Sequence, residues 1–290
     1  MSATSMKQIK TRIKSIRGTM QITHAMQLVA ASRMKKMTDR IEKSKPYFNI
    51  LRETLDEITA DNLDFSSVFT REREGRKCHI VIAGDRGLAG GYNHNLFKSL
   101  NLNTDDIIFP IGKKAAEYFS DYEIFTDEYE KAADIEFEDC RRIGDLLAAA
   151  YKKGDFTSLY ISYTAFKNML TQEPQAIRLL SLSKRDTKSP MYRDTKSFTH
   201  RDTKTSVTIY EPDAEGAFES IIPYYLLGMV YGAVTESVTS ETAARRNAME
   251  AATDNAQEML DRLTLEYNRA RQAAVTQELT EIVSGANLPS

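Results

Sequence analysis

A glycine-rich run in the middle of the chain is the first candidate for chemistry. It reads Gly84-Asp-Arg-Gly-Leu-Ala-Gly-Gly-Tyr-Asn, and it lies between a short β-branched run and a helical pattern. An α/β protein binds phosphate at such a strand-to-helix turn. However, the spacing is not G-x-G-x-x-G, and no Gly-Lys-Ser/Thr follows. The sequence therefore favours the simpler interpretation, a tight turn that needs the conformational freedom of glycine.

The histidines and cysteines do not form a recognisable site. No histidine is paired at i, i+4 with another type of metal ligand; the four are His24, His79, His94 and His200. Cys78 and Cys140 fit neither a metal-binding nor a redox spacing, and free cysteine packs as a small hydrophobic side chain. We therefore expect two buried free thiols, and we predict no catalytic residue, no cofactor and no metal site.

The N-terminal part of the chain, residues 1–60, has the pattern of one long helix from about Ser5 to Ile58. Its first apolar residues recur at steps of four, three and four, which places them on one helical stripe; they are Ile9, Ile13, Ile16 and Met20. No glycine follows Gly18 in this stretch. Pro46 is the one interior helix breaker, where we expect a kink or a local adjustment.

The C-terminal part, residues 211–290, is predicted to be a second long helix that ends near Ser284. Glu211-Pro212-Asp213 is a helix-start signal, with proline near the first helical position and acids by the positive end of the helix dipole. Apolar residues then recur at steps of three and four; they are Ala252, Ala256, Met259, Leu263, Tyr267, Ala270 and Ala274.

A helix of about 70 residues is about 105 Å long at 1.5 Å per residue, and no compact domain buries it. It needs a partner helix, and the N-terminal helix is the available one. The predicted seam is rich in alanine and methionine, so the two helices can approach closely, unlike those of a standard leucine zipper.

Between the two helices the period changes to that of an α/β domain, residues 75–207. Helices are predicted at Lys113–Phe119 and Phe137–Lys153, and strands at Cys78–Ala83, Ile107–Ile111, Glu123–Thr126, Ser158–Ala165 and Gln175–Leu182. This alternation indicates a mainly parallel, Rossmann-like sheet. The tetrapeptide Arg-Asp-Thr-Lys occurs three times at a period of eight. We interpret this repeat, residues 184–206, as an exposed loop.

Positive charge is concentrated at the N-terminus. Residues 1–45 hold eleven Lys or Arg and two acids, a formal charge of +9, and because the chain totals −2 the rest carries −11. Such a helix can bind nucleic acid, anionic lipid or an acidic protein surface, and it can equally be a solvated face. The longest uncharged run, Ser220–Thr235, is shorter than the roughly 18 residues of a membrane-spanning helix. With no secretory signal evident, we expect a soluble or peripheral protein without a transmembrane segment.

Four stretches of the sequence carry a resemblance to a known family. They are Ile22-Thr-His-Ala-Met-Gln-Leu-Val-Ala-Ala-Ser-Arg-Met-Lys-Lys, the glycine-rich run, Glu241-Thr-Ala-Ala-Arg-Arg-Asn-Ala-Met-Glu-Ala-Ala-Thr-Asp-Asn and Tyr267-Asn-Arg-Ala-Arg-Gln-Ala-Ala-Val-Thr-Gln-Glu-Leu-Thr-Glu-Ile-Val-Ser-Gly-Ala. Through them the chain resembles the gamma subunit of bacterial F-type ATP synthases. The likeness covers nearly the whole chain apart from the repeat loop. Ala89 stands where the family often has cysteine, and the redox-regulatory cysteine insert of the chloroplast members is absent, so we expect no thiol switch.

The resemblance implies a fold and a role. The terminal helices would form a long antiparallel coiled coil inside a hexamer of alternating alpha and beta subunits, with the Rossmann-like domain near the epsilon subunit and the membrane c-subunit ring. Ion flow would turn the ring and this shaft, which would drive the beta subunits through their binding states for ATP synthesis, or couple ATP hydrolysis to ion pumping. The subunit would be a non-catalytic, peripheral part of this hetero-oligomer on the cytoplasmic side of the cell membrane. We expect it to bind neither nucleic acid nor a small-molecule substrate.

The resemblance also implies where the shaft meets the hexamer. The contact residues would be Met26, Arg33, Lys35, Lys36, Arg271, Gln272 and Thr276. The first four would lie near an acidic lever loop of beta, which suits the positive N-terminal segment, and the last three would form a polar contact with the hexamer. The residues alone leave two other classes open: a static coiled-coil scaffold with an α/β head, and a Rossmann-like enzyme with helical arms.

Overall fold

The computed structural model describes residues 3–61, 67–126, 131–182, 211 and 213–286. The elements, in chain order, are α1 (Ala3–Asp61), β1 (Lys77–Ile82), α2 (Tyr92–Ser99), β2 (Ile107–Ile111), α3 (Lys113–Tyr118), β3 (Glu123–Ile124), α4 (Phe137–Lys153), β4 (Ser158–Phe166), β5 (Gln172–Leu180) and α5 (Ala214–Ala286). The repeat loop expected at 184–206 lies outside the described residues, as does Pro212 of the predicted helix start.

The strands form one five-stranded sheet in the order β3-β2-β1-β4-β5. Neighbouring strands are parallel from β3 to β4, and β4 pairs with β5 in antiparallel fashion. The mainly parallel sheet predicted from the alternation of strands and helices is therefore confirmed. β3 is shorter than the predicted Glu123–Thr126, because it pairs only with Ile107 and Ile108 at the edge of β2. β5 begins and ends earlier than predicted.

Both faces of the sheet are buried, which explains why β1 and β2 are almost continuously apolar. Ile80 and Ile82 belong to a large cluster that includes side chains of α4 and α5. The intervening Val81 belongs to a second cluster, which includes Leu96 of α2 and Ala115 of α3. The alternation of strand side chains thus distributes β1 between two cores.

Local signals account for the bounds of α4, which coincide with the predicted ones. The Glu136 N–H donates to Asp139 Oδ2 over 3.0 Å, which satisfies a backbone donor at the start of the helix. The helix ends at Lys153, and Gly154 follows it with a φ of 91°, the left-handed conformation preferred after a last turn. At Gly144, an added Cβ would lie 2.9 Å from the Pro223 carbonyl oxygen. This glycine lets α4 and α5 approach closely.

The start of α5 depends on an acidic cap. Asp213 Oδ1 accepts the N–H of Gly216 over 2.7 Å, so Asp213 precedes the first helical residue and caps the helix. The other long helix, α1, is continuous through Pro46. Within-helix threonines of both elements bond back to carbonyls one turn earlier, as Thr38 does to Met34 over 3.0 Å.

The two long helices pair in opposite directions, as the coiled-coil prediction requires. Thr23 Oγ1 on α1 lies 2.8 Å from Thr253 Oγ1 on α5. Arg40 Nε on α1 donates to the Tyr231 hydroxyl over 2.6 Å. From one contact to the other the residue number rises along α1 and falls along α5, which defines an antiparallel pair.

The chain divides into two compact units. The first comprises Met1–Ser32 and Arg245–Ser290, and the second comprises Arg33–Ala244. Each long helix contributes to both units. The predicted division instead separates the two helices from the α/β domain, at 1–60, 75–207 and 211–290. It stays a prediction.

Side chains buried in the first unit are mostly small; they are Thr23, Ala30, Met249, Ala256, Leu260 and Ala270. The predicted seam is wrong at one residue, since Met259 is exposed and its neighbour Leu260 is buried. The spacing of Met249, Ala256 and Leu260 is seven and four, and this heptad pattern of a coiled coil excludes Met259 from the seam.

Candidate functional site

The glycine-rich turn lies at the carboxyl end of β1 and before α2, as predicted, but its polar groups are used inside the protein. The Gly84 N–H donates to Asn93 Oδ1 over 2.9 Å. Asp85 accepts the Lys113 N–H at Oδ1 over 3.0 Å and the Ala133 N–H at Oδ2 over 3.2 Å. Leu88 has a φ of 63°, a left-handed conformation that few non-glycine residues adopt. Hydrogen bonds to Asn93, Lys113 and Ala133 therefore hold the turn in place.

A carboxylate of the chain itself fills the space beside the turn. A Cβ added to Gly84 would lie 2.7 Å from Glu241 Oε1, so the buried Glu241 side chain packs directly on the glycine. In a nucleotide-binding α/β protein, glycine at this place gives a phosphate close access to the backbone. Here the same freedom lets α5 approach, and the phosphate-site interpretation that the sequence disfavoured is not supported.

Hydroxyl contacts attach the same part of α5 to β1 and α2. The buried Tyr92 hydroxyl lies 2.6 Å from Ser237 Oγ and donates to the Ser237 carbonyl over 2.9 Å. Ser237 Oγ donates to the Ile82 carbonyl over 3.3 Å. Sequence reasoning missed this contact. In the sequence, the one indication of this contact is the run Thr235–Thr242, which is rich in Ser, Thr and Glu. The structure shows that this polar run is almost wholly buried.

The seven residues implied as contacts with a hexamer divide between the two units. Met26, Arg271, Gln272 and Thr276 belong to the first unit, and Arg33, Lys35 and Lys36 belong to the second. Met26 is half-buried, and the other six side chains are exposed. They therefore form no internal site, and an exposed location is the one that contact with another subunit requires.

The buried titratable groups of the sheet serve packing. His79 Nε2 lies 3.4 Å from Asp106 Oδ2, and the imidazole stacks on Tyr160 with ring centroids 5.0 Å apart. Burial lowers the pKa of His79, and the nearby Asp106 only partly opposes this shift. Cys78 and Cys140 are both buried and free, as predicted, and burial raises the pKa of the Cys78 thiol.

Metal binding and membrane spanning are two further possibilities for the described residues. Among the described residues no group of three or more His, Cys, Asp or Glu side chains could hold a metal ion. One stretch of α5 is long and apolar enough to cross a membrane, and 61% of it is buried inside the protein. Burial of that kind is typical of a core helix, and Phe218, Ile222 and Val230 of α5 do belong to the large core cluster.

Comparison with known proteins places this architecture in a family. A family model described as ATP synthase matches residues 5–287. An ATP synthase gamma chain of Ruminococcus albus is 43% identical over 97% of this chain and 98% of its own length. A gamma chain of Acetobacterium woodii, described as sodium ion specific, is 37% identical over 98% of both chains.

Solved structures share the fold at low sequence identity. A rotor chain of the Euglena gracilis mitochondrial ATP synthase has a TM-score of 0.64 at 16% identity, covering 94% of this chain and 100% of its own. A chain from the central stalk and c-ring of the Tetrahymena thermophila mitochondrial enzyme has a TM-score of 0.54 at 21% identity, covering 80% and 99%. The protein belongs to the ATP synthase gamma-chain family, and its role is that of the central shaft of a membrane-associated ATP synthase.

Proposed function

We propose that this chain transmits rotation between the ion-driven membrane ring and the catalytic hexamer and performs no chemistry itself. The main support for the proposal is that the first unit is a pair of helix segments, one from α1 and one from α5. Two paired helices give a stiff rod that can carry torque. Along this rod large apolar side chains remain exposed; they include Ile22, Leu28, Val29, Leu265, Val275 and Leu279. Such surface is typical of a contact with other proteins.

The proposed partners follow from the two units. The first unit lies within a hexamer of alpha and beta subunits, which the α1 residues Arg33, Lys35 and Lys36 of the second unit also contact. The α/β domain of the second unit contacts the epsilon subunit and the c-subunit ring. The complex is then a hetero-oligomer in which this chain is peripheral, on the cytoplasmic side of the cell membrane. The domain division proposed for this role is a helix at 1–60, an α/β domain at 75–207 and a helix at 211–290.

The proposed contacts with the hexamer are the seven residues named from the resemblance. Arg33, Lys35 and Lys36 are exposed on α1, and their charge suits the acidic loop of a beta subunit that passes them during rotation. The exposed Arg271, Gln272 and Thr276, with the half-buried Met26, supply polar and apolar contacts in the first unit. Side chains at the surface of a turning shaft must bind weakly, since each contact is broken in every rotation.

Electron microscopy of the membrane-extracted complex tests the shaft role. We expect the helices of this chain at the centre of a ring of six larger subunits. A static scaffold predicts the same helices outside any such ring, and that result would reject the proposal. The isolated chain is also expected to show no ATP hydrolysis above the buffer rate, because the space beside Gly84 is filled by Glu241.

Covalent locking tests the contact residues. A cysteine at Thr276, paired with a cysteine on the facing subunit, should stop ATP turnover when the disulfide forms, and reduction should restore turnover. The matched control is a cysteine at Thr164, which is buried in β4 and offers no surface to the hexamer. Turnover that persists with the Thr276 disulfide formed would show that this part of the chain does not rotate.

A further inference from the structure

The seam between the two helix segments of the first unit contains a contact between two hydroxyl groups. Thr23 of α1 is buried and Thr253 of α5 is half-buried, and their Oγ1 atoms lie 2.8 Å apart. Both residues belong to the first unit. Among the described residues of this unit, the other buried side chains are apolar. The presence of a polar pair in such a seam therefore calls for a reason other than burial of apolar surface.

The two hydroxyl groups have more contacts than protons. Besides its contact with Thr253, Thr23 Oγ1 lies 3.1 Å from the Met20 carbonyl oxygen. Thr253 Oγ1 lies 2.8 Å from the Met249 carbonyl oxygen. Each hydroxyl has one proton to donate, so two of these three contacts can be hydrogen bonds at one time. Because the two contacts of 2.8 Å are the shorter ones, Thr23 donates across the seam to Thr253, which donates to the Met249 carbonyl.

The apolar side chains of the seam do little to prevent the helices from sliding along each other. Three of the five that are buried there are alanine, namely Ala30, Ala256 and Ala270. Helices of a coiled coil interlock when a side chain of one fits between four residues of the other, and a methyl group fills little of that space. A hydroxyl–hydroxyl bond, by contrast, requires a separation of about 2.5–3.0 Å. A displacement of about 1 Å along the helix axis therefore breaks this bond, whereas the alanines stay in contact.

We propose that Thr23 and Thr253 are a positioning pair that holds α1 and α5 against sliding along each other in the first unit. Twisting a two-stranded coiled coil changes its supercoil, so that each helix slides along its partner. A bond that resists sliding thus makes the pair stiffer against torsion, and a stiffer pair transmits rotation with less angular lag between its ends. This consequence for rotation rests on the shaft role proposed above, whereas the effect on sliding does not.

The donor arrangement predicts that the bond can be removed without unfolding the pair. In Thr23→Val, the Thr253 hydroxyl still donates to the Met249 carbonyl. In Thr253→Val, the Thr23 hydroxyl turns to the Met20 carbonyl. Neither variant leaves a buried donor without an acceptor, which is the usual cause of a large loss of stability. Valine has nearly the shape of threonine, so both variants should fold and assemble without the bond across the seam.

Spin-label distances in the assembled complex test the proposal. Lys14→Cys on α1 and Arg262→Cys on α5 replace exposed residues. Each lies nine residues along its helix from the positioning pair, which places the two labels at one level of the antiparallel helices. The chain's own cysteines are buried, and the other subunits are made free of cysteine. By pulsed electron paramagnetic resonance, the distance distribution should be about 1.5 times wider in Thr23→Val than in the parent, because the bond no longer limits displacement.

Two further variants assign the effect to the hydroxyl. Thr23→Ser keeps the hydroxyl and loses the methyl group, so it should keep the parent width. Thr264→Val is the matched control, since Thr264 lies on α5 in the same unit and donates to the Leu260 carbonyl of its own helix over 2.7 Å; it should also keep the parent width. A distribution that is wide in Thr23→Ser and narrow in Thr23→Val would assign the effect to packing. That result, or an unchanged width in Thr23→Val, would overturn the proposal.

A double variant checks that the two threonines act through one bond. Combining Thr23→Val with Thr253→Val should widen the distribution no further than either change alone, because each already removes the same interaction. If the two changes widened it additively, each threonine would act on its own helix, and the positioning pair would be rejected.

Rotation measured on the same variants separates this inference from the shaft role. A gold rod attached at Lys98→Cys, an exposed site on α2, reports the angular fluctuation during each pause of ATP-driven rotation. The fluctuation should be wider in Thr23→Val than in Thr264→Val. If the complex rotates and the two fluctuations are equal, the torsional role of the pair fails. If the label distances behave as expected but the complex does not rotate about this chain, the shaft role alone fails.

Discussion

The two compact units of this chain bury their apolar side chains to very different extents. In the second unit, β1, β2, α4 and α5 enclose a core in which many large side chains have no exposure, among them Phe69, Tyr151 and Phe218. In the first unit two helix segments bury mostly alanine and threonine between them, and Leu265 stays 60% exposed. The second unit thus completes its own core, whereas the first leaves large apolar side chains exposed, which is typical of a surface that contacts other proteins.

The largest expected effect is in the second unit, where Gly112 allows a close backbone approach. A Cβ at Gly112 would lie 2.1 Å from the Ala83 carbonyl oxygen, and its φ of 90° is itself strained for other residues. Gly112→Ala should therefore lower the free energy of unfolding by more than about 3 kcal/mol, as large steric and backbone effects do. Urea unfolding of the full chain, followed by circular dichroism, measures this.

Gly154 provides the matched control for that substitution. Its φ is 91°, and nothing lies within 4 Å of an added Cβ. Gly154→Ala should cost about 1 kcal/mol, the strain of a left-handed non-glycine residue alone. Equal losses in the two variants would show that the contact with Ala83 relaxes at little cost.

Leucine truncations compare the two units directly. Leu147 is fully buried on α4, and Leu147→Ala should cost about 3 kcal/mol through lost burial and the cavity left behind. The exposed Leu265 of the first unit should cost less than about 0.5 kcal/mol on replacement by alanine. If the first unit lies within the hexamer, as proposed, the order should change in the assembled complex, because Leu265→Ala then removes an apolar contact between subunits. A large loss of stability for Leu265→Ala in the isolated chain would break the comparison.

The Tyr92–Ser237 contact should have a smaller effect. Tyr92→Phe removes the hydroxyl that donates to the Ser237 carbonyl and lies 2.6 Å from Ser237 Oγ, and the expected cost is about 1–2 kcal/mol. Tyr118→Phe is the control, since that side chain is 59% exposed. Combining Tyr92→Phe with Ser237→Ala should cost less than the sum of the two single changes, because both remove one interaction. Additive costs would mean that the hydroxyls act independently.

The smallest expected effect is the pH dependence contributed by His79. Burial lowers the pKa of His79 below its ordinary value of 6.5, so the unfolded chain binds this proton more readily than the folded one. Stability should therefore fall as the pH drops below about 6.5, by at most about 1.4 kcal/mol per pH unit for one proton. His79→Gln should reduce this slope between pH 7 and 5, whereas His94→Gln, at an exposed site, should not. An unchanged slope in His79→Gln would assign the acid sensitivity to other groups.

Local signals were sufficient for many elements and insufficient for the contacts that join them. The bounds of β2 and α4 were predicted correctly, because a buried β-branched run and a well-capped amphipathic helix each carry their own signal. The edge strand β3 is shorter than predicted and β5 is displaced, since the ends of these strands are set by pairing with β2 and β4. The sequence pattern predicted Met259 in the seam, whereas the structure buries Leu260 there. The prediction was wrong because a 3.6-residue period and a heptad repeat diverge over several turns.

The sequence by itself determined the two long helices, the parallel sheet between them and the family, since periodicity and long collinear motifs are properties of the chain alone. Only the tertiary structure decided what the glycine turn does. It placed Glu241 against Gly84 and Ser237 against Tyr92, residues about 150 positions apart for which no local pattern gives a pairing.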